Sequence, residues 1–207
     1  MLTALYQDSR FAVCVKPVGI ASQGDAAAAM PALLSAQLGG PFFPVHRLDQ
    51  AVGGVMVYAR TPQTAAELSA QMQRGAFQKE YLAVLTGTPA EKNGELTDLL
   101  FHDRAKNKTY VVSRKRSGVK EARLSYEVLV ERDGLTLVRV LLHTGRTHQI
   151  RVQFASRKLP LLGDGKYGSK DNRCAAALWS YRLSFSGQTF SALPEGFPWD
   201  LFETEAL

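Results

Sequence analysis

The stretch LSYEVLVERDGLTLVRVLLH, residues 124–143, constrains the fold more than any other part of the chain. Two apolar runs with partial alternation flank Asp133-Gly134. An Asp-Gly step tolerates the positive φ angles that a tight two-residue turn needs, so the spacing predicts an antiparallel hairpin. Around it, strand-like and helix-like segments are mixed without a regular βαβ repeat. That favours an α+β fold over a doubly wound sheet.

Other segments carry their own punctuation. RFAVCVKPVGIAS reads as a short buried strand stopped by Pro17 and Gly19, and VGGVMVYART as a second buried strand. Between them, GDAAAAMPALLSAQLGG is Ala-rich and reads as a loop with a helical turn, closed by Gly39-Gly40-Pro41. TPQTAAELSAQMQRG predicts a helix with Thr61 as N-cap, Pro62 in the first turn and Gly75 as the stop. Its apolar face is Ala65, Leu68 and Met72. KEYLAVLTG is strand-like. TGRTHQIRVQFASRK opens a helix for which Thr147 is the candidate cap.

Composition narrows the function classes. At 207 residues with 45% hydrophobic and 21% charged side chains, the chain suits one sizeable globular domain. The net charge of +6 favours polyanionic partners such as nucleic acid or an anionic surface. Cys14 and Cys174 are the only cysteines and form no C-x-x-C pair, which argues against a disulfide framework or a Cys-based zinc site. The N-terminus lacks a secretory pattern, and no apolar run reaches the length of a membrane span. The expected address is a reducing cytoplasm.

Four constellations could carry chemistry. In His46-Arg47-Leu48-Asp49, residues 47 and 49 point to the same side of an extended segment. They make either a surface ion pair or a carboxylate nucleophile or base, with Gly53 and Gly54 letting backbone approach a ligand. HTGRTHQIR gathers His143, Arg146, His148 and Arg151. Histidines five apart are a poor metal pair, since helical ligands prefer closer spacing. The arginines could hold a phosphate or a carboxylate, or form a solvated helix end. Tyr81 in its strand reads as core packing on its own. LPLLGDGKYGS is a tight loop around Asp164 and lacks the setting of a dinucleotide site. The polar run with Arg114, Lys115, Arg116 and Lys120 concentrates positive charge and is either a solvated loop or a contact for a nucleic-acid backbone.

Taken in order, H-R-L-D-x-x-x-x-G, K-x-Y-x-A-x-x-x-G, L-x-T-G-R-x-H-Q-I-R and P-L-L-G-D-x-x-Y-G resemble the RluA-type pseudouridine synthases. The resemblance runs from VCVKPVGIASQGD through GDGKYG and on to ALWSYRLSF, nearly the whole chain. It implies a mixed, largely antiparallel central sheet flanked by helices, with a central cleft. It implies isomerisation of uridine to pseudouridine in structured ribosomal or transfer RNA, with no metal and no cofactor. Asp49 matches the catalytic aspartate, Tyr81 the active-site tyrosine, and Arg151 the arginine that pairs with the aspartate and keeps it ionised. Arg47 matches the residue that enters the RNA stack when the uridine leaves. His46, Arg146, His148 and Gln149 match motif residues read as architecture or RNA contacts.

On this reading residues 1–207 form a single catalytic domain, a monomer, with no separate N-terminal RNA-binding domain. Two departures bear on substrate contacts. Many relatives have Thr-Ser-Gly where this chain has Val52-Gly53-Gly54, and many have a histidine where Gln153 stands. An RNA-binding module without catalysis and a hydrolytic N-glycosidase are the competing readings.

Overall fold

The computed structural model describes residues 1–202. The chain begins with strands β1 (Ala4–Gln7) and β2 (Phe11–Lys16), helix α1 (Met30–Leu38), strands β3 (Phe43–Pro44) and β4 (Gly53–Ala59), and helix α2 (Pro62–Gln73). Then come β5 (Gln78–Thr86), β6 (Asn93–Asp103), β7 (Lys108–Val112), β8 (Val119–Arg132) and β9 (Leu135–Leu142). Helix α3 (Gln149–Ala155) and strands β10 (Leu178–Phe185) and β11 (Gln188–Ser191) complete the set. The fold class is α+β, as expected. By packing, the described residues divide into two compact units: Met1–Lys79 with Trp179–Pro194, and Glu80–Leu178 with residues 195–202.

The first unit is a mixed sheet. β2 pairs antiparallel with β1 and with β4, and β3 also pairs antiparallel with β4. β10 runs parallel to β4 through Trp179↔Gly53 and Ser180↔Gly54, and pairs antiparallel with β11. All seven residues of β4 are buried, which explains why its sequence is apolar throughout rather than alternating. Helix α2 packs on this sheet by the predicted face: Leu68 is buried, with Ala65 and Met72 against the same core. Its Thr61 Oγ1 accepts the Thr64 N–H at 3.1 Å, and Pro62 sits at its start. Phe77 and Phe185 stack at 4.4 Å between centroids. Helix α1 is a correction. The Ala-rich segment forms nine helical residues rather than a single turn, because Met30 and Leu34, four apart, both reach buried positions.

The second unit is antiparallel throughout, with neighbours in the order β5, β9, β8, β6, β7. The hairpin of β8 and β9 closes as its turn residues demand. Asp133 and Gly134 have φ of 52° and 75°, and Arg132 faces Leu135. A register shift between Val128 and Val130 is the one irregularity in that pairing. Helix α3 lays Val152 against Leu100, Ala122 and Tyr167. Gln153, expected to alter substrate contacts, is fully buried in this packing. Its amide donates to the Leu96 carbonyl at 3.2 Å and to Asp98 at 2.8 Å, so this departure from relatives concerns the seating of α3.

Candidate active site

Asp49 sits in the connection from β3 to β4, and the backbone on either side of it is fixed. The Val52 N–H donates to the Asp49 carbonyl at 2.9 Å, making a tight turn at the carboxylate. Leu48 is buried, and its carbonyl accepts from Ser22 Oγ at 2.8 Å. The Gln50 carbonyl accepts from the Gly19 N–H at 2.8 Å, while the Gln50 amide donates back to the Gly19 carbonyl at 2.8 Å. His46 Nε2 accepts the Val57 N–H at 3.3 Å. Burial, reinforced by the Lys79 charge, pushes the His46 imidazole down to about 3, so it stays neutral and keeps that acceptor. Arg47 is exposed and Asp49 is half-buried.

Lys16 ties this turn to the end of β2. Its side chain is fully buried, and Nζ donates to the carbonyls of Pro17 at 2.8 Å, Ile20 at 2.7 Å and Gln50 at 3.3 Å. Burial lowers its ammonium to about 8, and the Asp49 charge works against that shift. The ammonium form therefore prevails at neutral pH, with all three of its donors used. Two glycines then let the chain enter β4. At Gly54, with φ of 117°, a Cβ would lie 2.3 Å from the Ser180 carbonyl oxygen. At Gly53, a Cβ would lie 2.4 Å from the Trp179 ring. Cys14 is buried in β2, and burial pushes its thiol up to about 12, so it supplies no thiolate at neutral pH.

In the second unit, Tyr81 lies on β5 opposite Val140 and is 6% exposed. Arg151 stands in the first turns of α3, its side chain almost buried. Its Nε and Nη2 donate to the two carboxylate oxygens of Asp164 at 2.7 and 2.8 Å, a bidentate pair with Asp164 itself buried. The Arg151 guanidinium lies 5.2 Å from the Tyr167 ring centroid. The Tyr167 hydroxyl accepts the Thr109 N–H at 2.8 Å and is 2.8 Å from His148 Nδ1. Burial raises the Tyr167 phenol above its ordinary value.

His148 is the residue before α3 and adopts a left-handed conformation, φ 53° and ψ 23°. This corrects the expectation that Thr147 caps the helix. No side chain caps it, and the Thr147 carbonyl instead accepts from Thr109 Oγ1 at 2.8 Å. Gln149 is buried and staples the preceding turn. Its Oε1 accepts from Thr144 Oγ1 at 2.8 Å and from the Arg146 N–H at 3.0 Å, and its amide donates to the Arg123 carbonyl at 3.1 Å. Arg146 Nε donates to the Glu121 carbonyl at 2.9 Å.

The sequence-predicted residues thus fall into two groups. His46, Arg47 and Asp49 share one turn of the first unit, while Tyr81, Arg146, His148, Gln149 and Arg151 belong to the second. Three contributors escape a residue-by-residue reading: Lys16, Asp164 and Tyr167. Asp164 reads as a loop residue because its partner is thirteen positions away. The signal was present all the same, since P-L-L-G-D-x-x-Y-G contains both Asp164 and Tyr167.

Residues 10–156 match the family model described as RNA pseudouridylate synthase. An "Uncharacterized RNA pseudouridine synthase" of Aquifex aeolicus (strain VF5) is 34% identical over 192 residues, covering 86% of this chain and 60% of the relative. The "Ribosomal large subunit pseudouridine synthase D" of Zymomonas mobilis subsp. mobilis is 30% identical over 208 residues, covering 95% and 64%. The chain thus spans about three fifths of the length of these curated relatives. Among solved structures, "Human RNA Pseudouridylate Synthase Domain Containing 4" has the same fold, with a TM-score of 0.79 at 22% identity over 94% of this chain and 89% of that one. A matching family model over most of the chain, together with relatives at this identity, leads to one conclusion: the chain belongs to the RNA pseudouridylate synthase family.

Proposed function

We propose that this protein isomerises uridine to pseudouridine in structured RNA, ribosomal or transfer RNA, as a cytoplasmic monomer. The observation that carries the reading is Asp49, a carboxylate in the family's motif at the tip of a turn whose backbone is hydrogen-bonded on both sides. A relative named for the ribosomal large subunit supports ribosomal RNA as the first substrate to try.

The reaction breaks the bond from ribose C1′ to N1 of uracil and makes a bond from C1′ to C5. The C5 hydrogen leaves as a proton, and N1 gains one. The base must turn over without escaping. Asp49 adds through a carboxylate oxygen to the sugar or the base and holds the intermediate while that rotation occurs. Tyr81 stacks on the base and assists removal of the C5 proton. Arg151 is the arginine that the resemblance gives to the aspartate. With Asp164 balancing its charge, it offers oriented N–H donors more than net positive charge. A stacked uridine must first leave its helix, and Arg47 fills the place it vacates. His46 and Gln149 hold the backbone of these segments, and His148 meets the Tyr167 hydroxyl.

The test is to incubate the protein with ribosomal and transfer RNA transcripts and map pseudouridine by position. An isomerase leaves the RNA mass unchanged and releases no uracil. Release of free uracil would assign a hydrolytic N-glycosidase, and binding without either product would leave an RNA-binding protein.

A further inference from the structure

The edge of the second unit carries a surface that the reaction above does not use. Strands β6, β7 and β8 turn one face inward, where Leu100 and Ala122 pack against α3. The opposite face carries Phe101 and Tyr110, directly across from each other on β6 and β7, and therefore side by side. Phe101 is half-buried, with the Arg116 guanidinium 4.8 Å from its ring centroid. Tyr110 is 37% exposed, the one aromatic among the exposed large hydrophobic side chains of the described residues. Lys108 Nζ stands 5.9 Å from its ring centroid.

Charge marks the same place. From Arg104 to Lys120 the sequence has seven lysines and arginines and no aspartate or glutamate. Arg114, Lys115 and Arg116 follow one another in the exposed connection from β7 to β8. Like charges so close repel each other, and an exposed tyrosine ring gains little from folding. Both features gain a use when a polyanion with flat, unpaired rings lies on the strand face.

We propose that the Phe101–Tyr110 face of β6 and β7 is a docking platform for single-stranded RNA, with a base stacked on Tyr110 and the phosphates met by Lys108 and the Arg114–Arg116 connection. The proposal rests on the reading of the protein as an RNA-modifying enzyme. It adds that an unpaired stretch of the RNA is held by groups other than those that act on the target uridine. Paired RNA hides its base faces, so the platform selects unpaired segments, and stacking tolerates any base.

The experiment measures fluorescence anisotropy of short labelled RNA with the full chain carrying Asp49→Ala, so that no turnover intervenes. Three ligands are compared: a single strand, the same strand in a duplex, and a ribose-phosphate strand without bases. Tyr110→Ala should weaken single-strand binding about tenfold. It should leave the baseless strand and the salt slope unchanged, while Tyr110→Phe retains affinity. Replacing Arg114, Lys115 and Arg116 together by Gln should flatten the salt slope for all three ligands. Equal losses by Tyr110→Ala on the baseless strand, unchanged affinity for the single strand, or no single-strand binding at all would overturn the platform. Thermal melting of each variant separates lost binding from lost folding. Failure of the wild-type chain to make pseudouridine would overturn the enzymatic reading, while the binding comparison would still decide the role of Tyr110.

Discussion

Arg151 and Asp164 show what one buried pair contributes at the scale of single residues. Both side chains are nearly out of water and meet through two parallel hydrogen bonds. Removing one charge strands the other, so Asp164→Asn should cost about 3 kcal/mol or more of stability, measured by chemical denaturation. A loss below about 1 kcal/mol, the range of an exposed pair, would show that solvent screens this one. His46 gives a pH dependence of known sign. Its folded value, about 3, lies below its ordinary value of 6.5. Its contribution to stability is therefore complete above 6.5 and is lost as pH falls toward 3. Urea denaturation at about pH 7 and about pH 4 should show wild-type protein losing more stability than His46→Gln, which cannot titrate. Equal losses would mean that the ring accepts a proton as freely folded as unfolded.

At the scale of elements, the start of β4 shows how a departure from relatives is accommodated. Ser at position 53 would put its Cβ against the Trp179 ring, whose Nε1 is anchored to the Ala192 carbonyl at 2.7 Å. Gly53→Ser should therefore destabilise the protein by about 1–3 kcal/mol, as overpacking does. Combining it with Trp179→Leu should recover part of that loss in a double-mutant cycle, and strict additivity would mean the two positions do not meet. The same contrast governs what could be read in advance. The β8–β9 hairpin and helix α2 were legible because their signals are local: Asp133-Gly134 sets the turn, and Thr61 with Pro62 sets the helix start. Strand β7 was not, because the lysines and arginines around it hide the alternation of its short apolar run. The start of α3 was misread because His148 holds its left-handed backbone beside Tyr167, nineteen residues away. No local propensity encodes that contact.

For the whole molecule, the net charge of +6 and membership of the RNA pseudouridylate synthase family both support RNA as the proposed substrate, though charge alone would not choose RNA over a membrane surface. The order of the motifs is what groups Asp49, Tyr81 and Arg151 into the proposed set, since each taken singly reads as an ion pair, a core tyrosine or a helix end. What the order did not give was how residues are supported: the hold of Lys16 on the Asp49 turn, and the pairing of the motif residue Asp164 with Arg151. If the Asp49 carboxylate does the chemistry, as proposed, Asp49→Asn should abolish it. Asparagine keeps the shape and removes the nucleophile. Single-turnover pseudouridine formation on an RNA that the wild-type chain modifies should fall to background, with RNA affinity and melting temperature unchanged. Turnover by Asp49→Asn within about tenfold of wild type, only about 1.4 kcal/mol of barrier, would contradict a covalent role for this carboxylate.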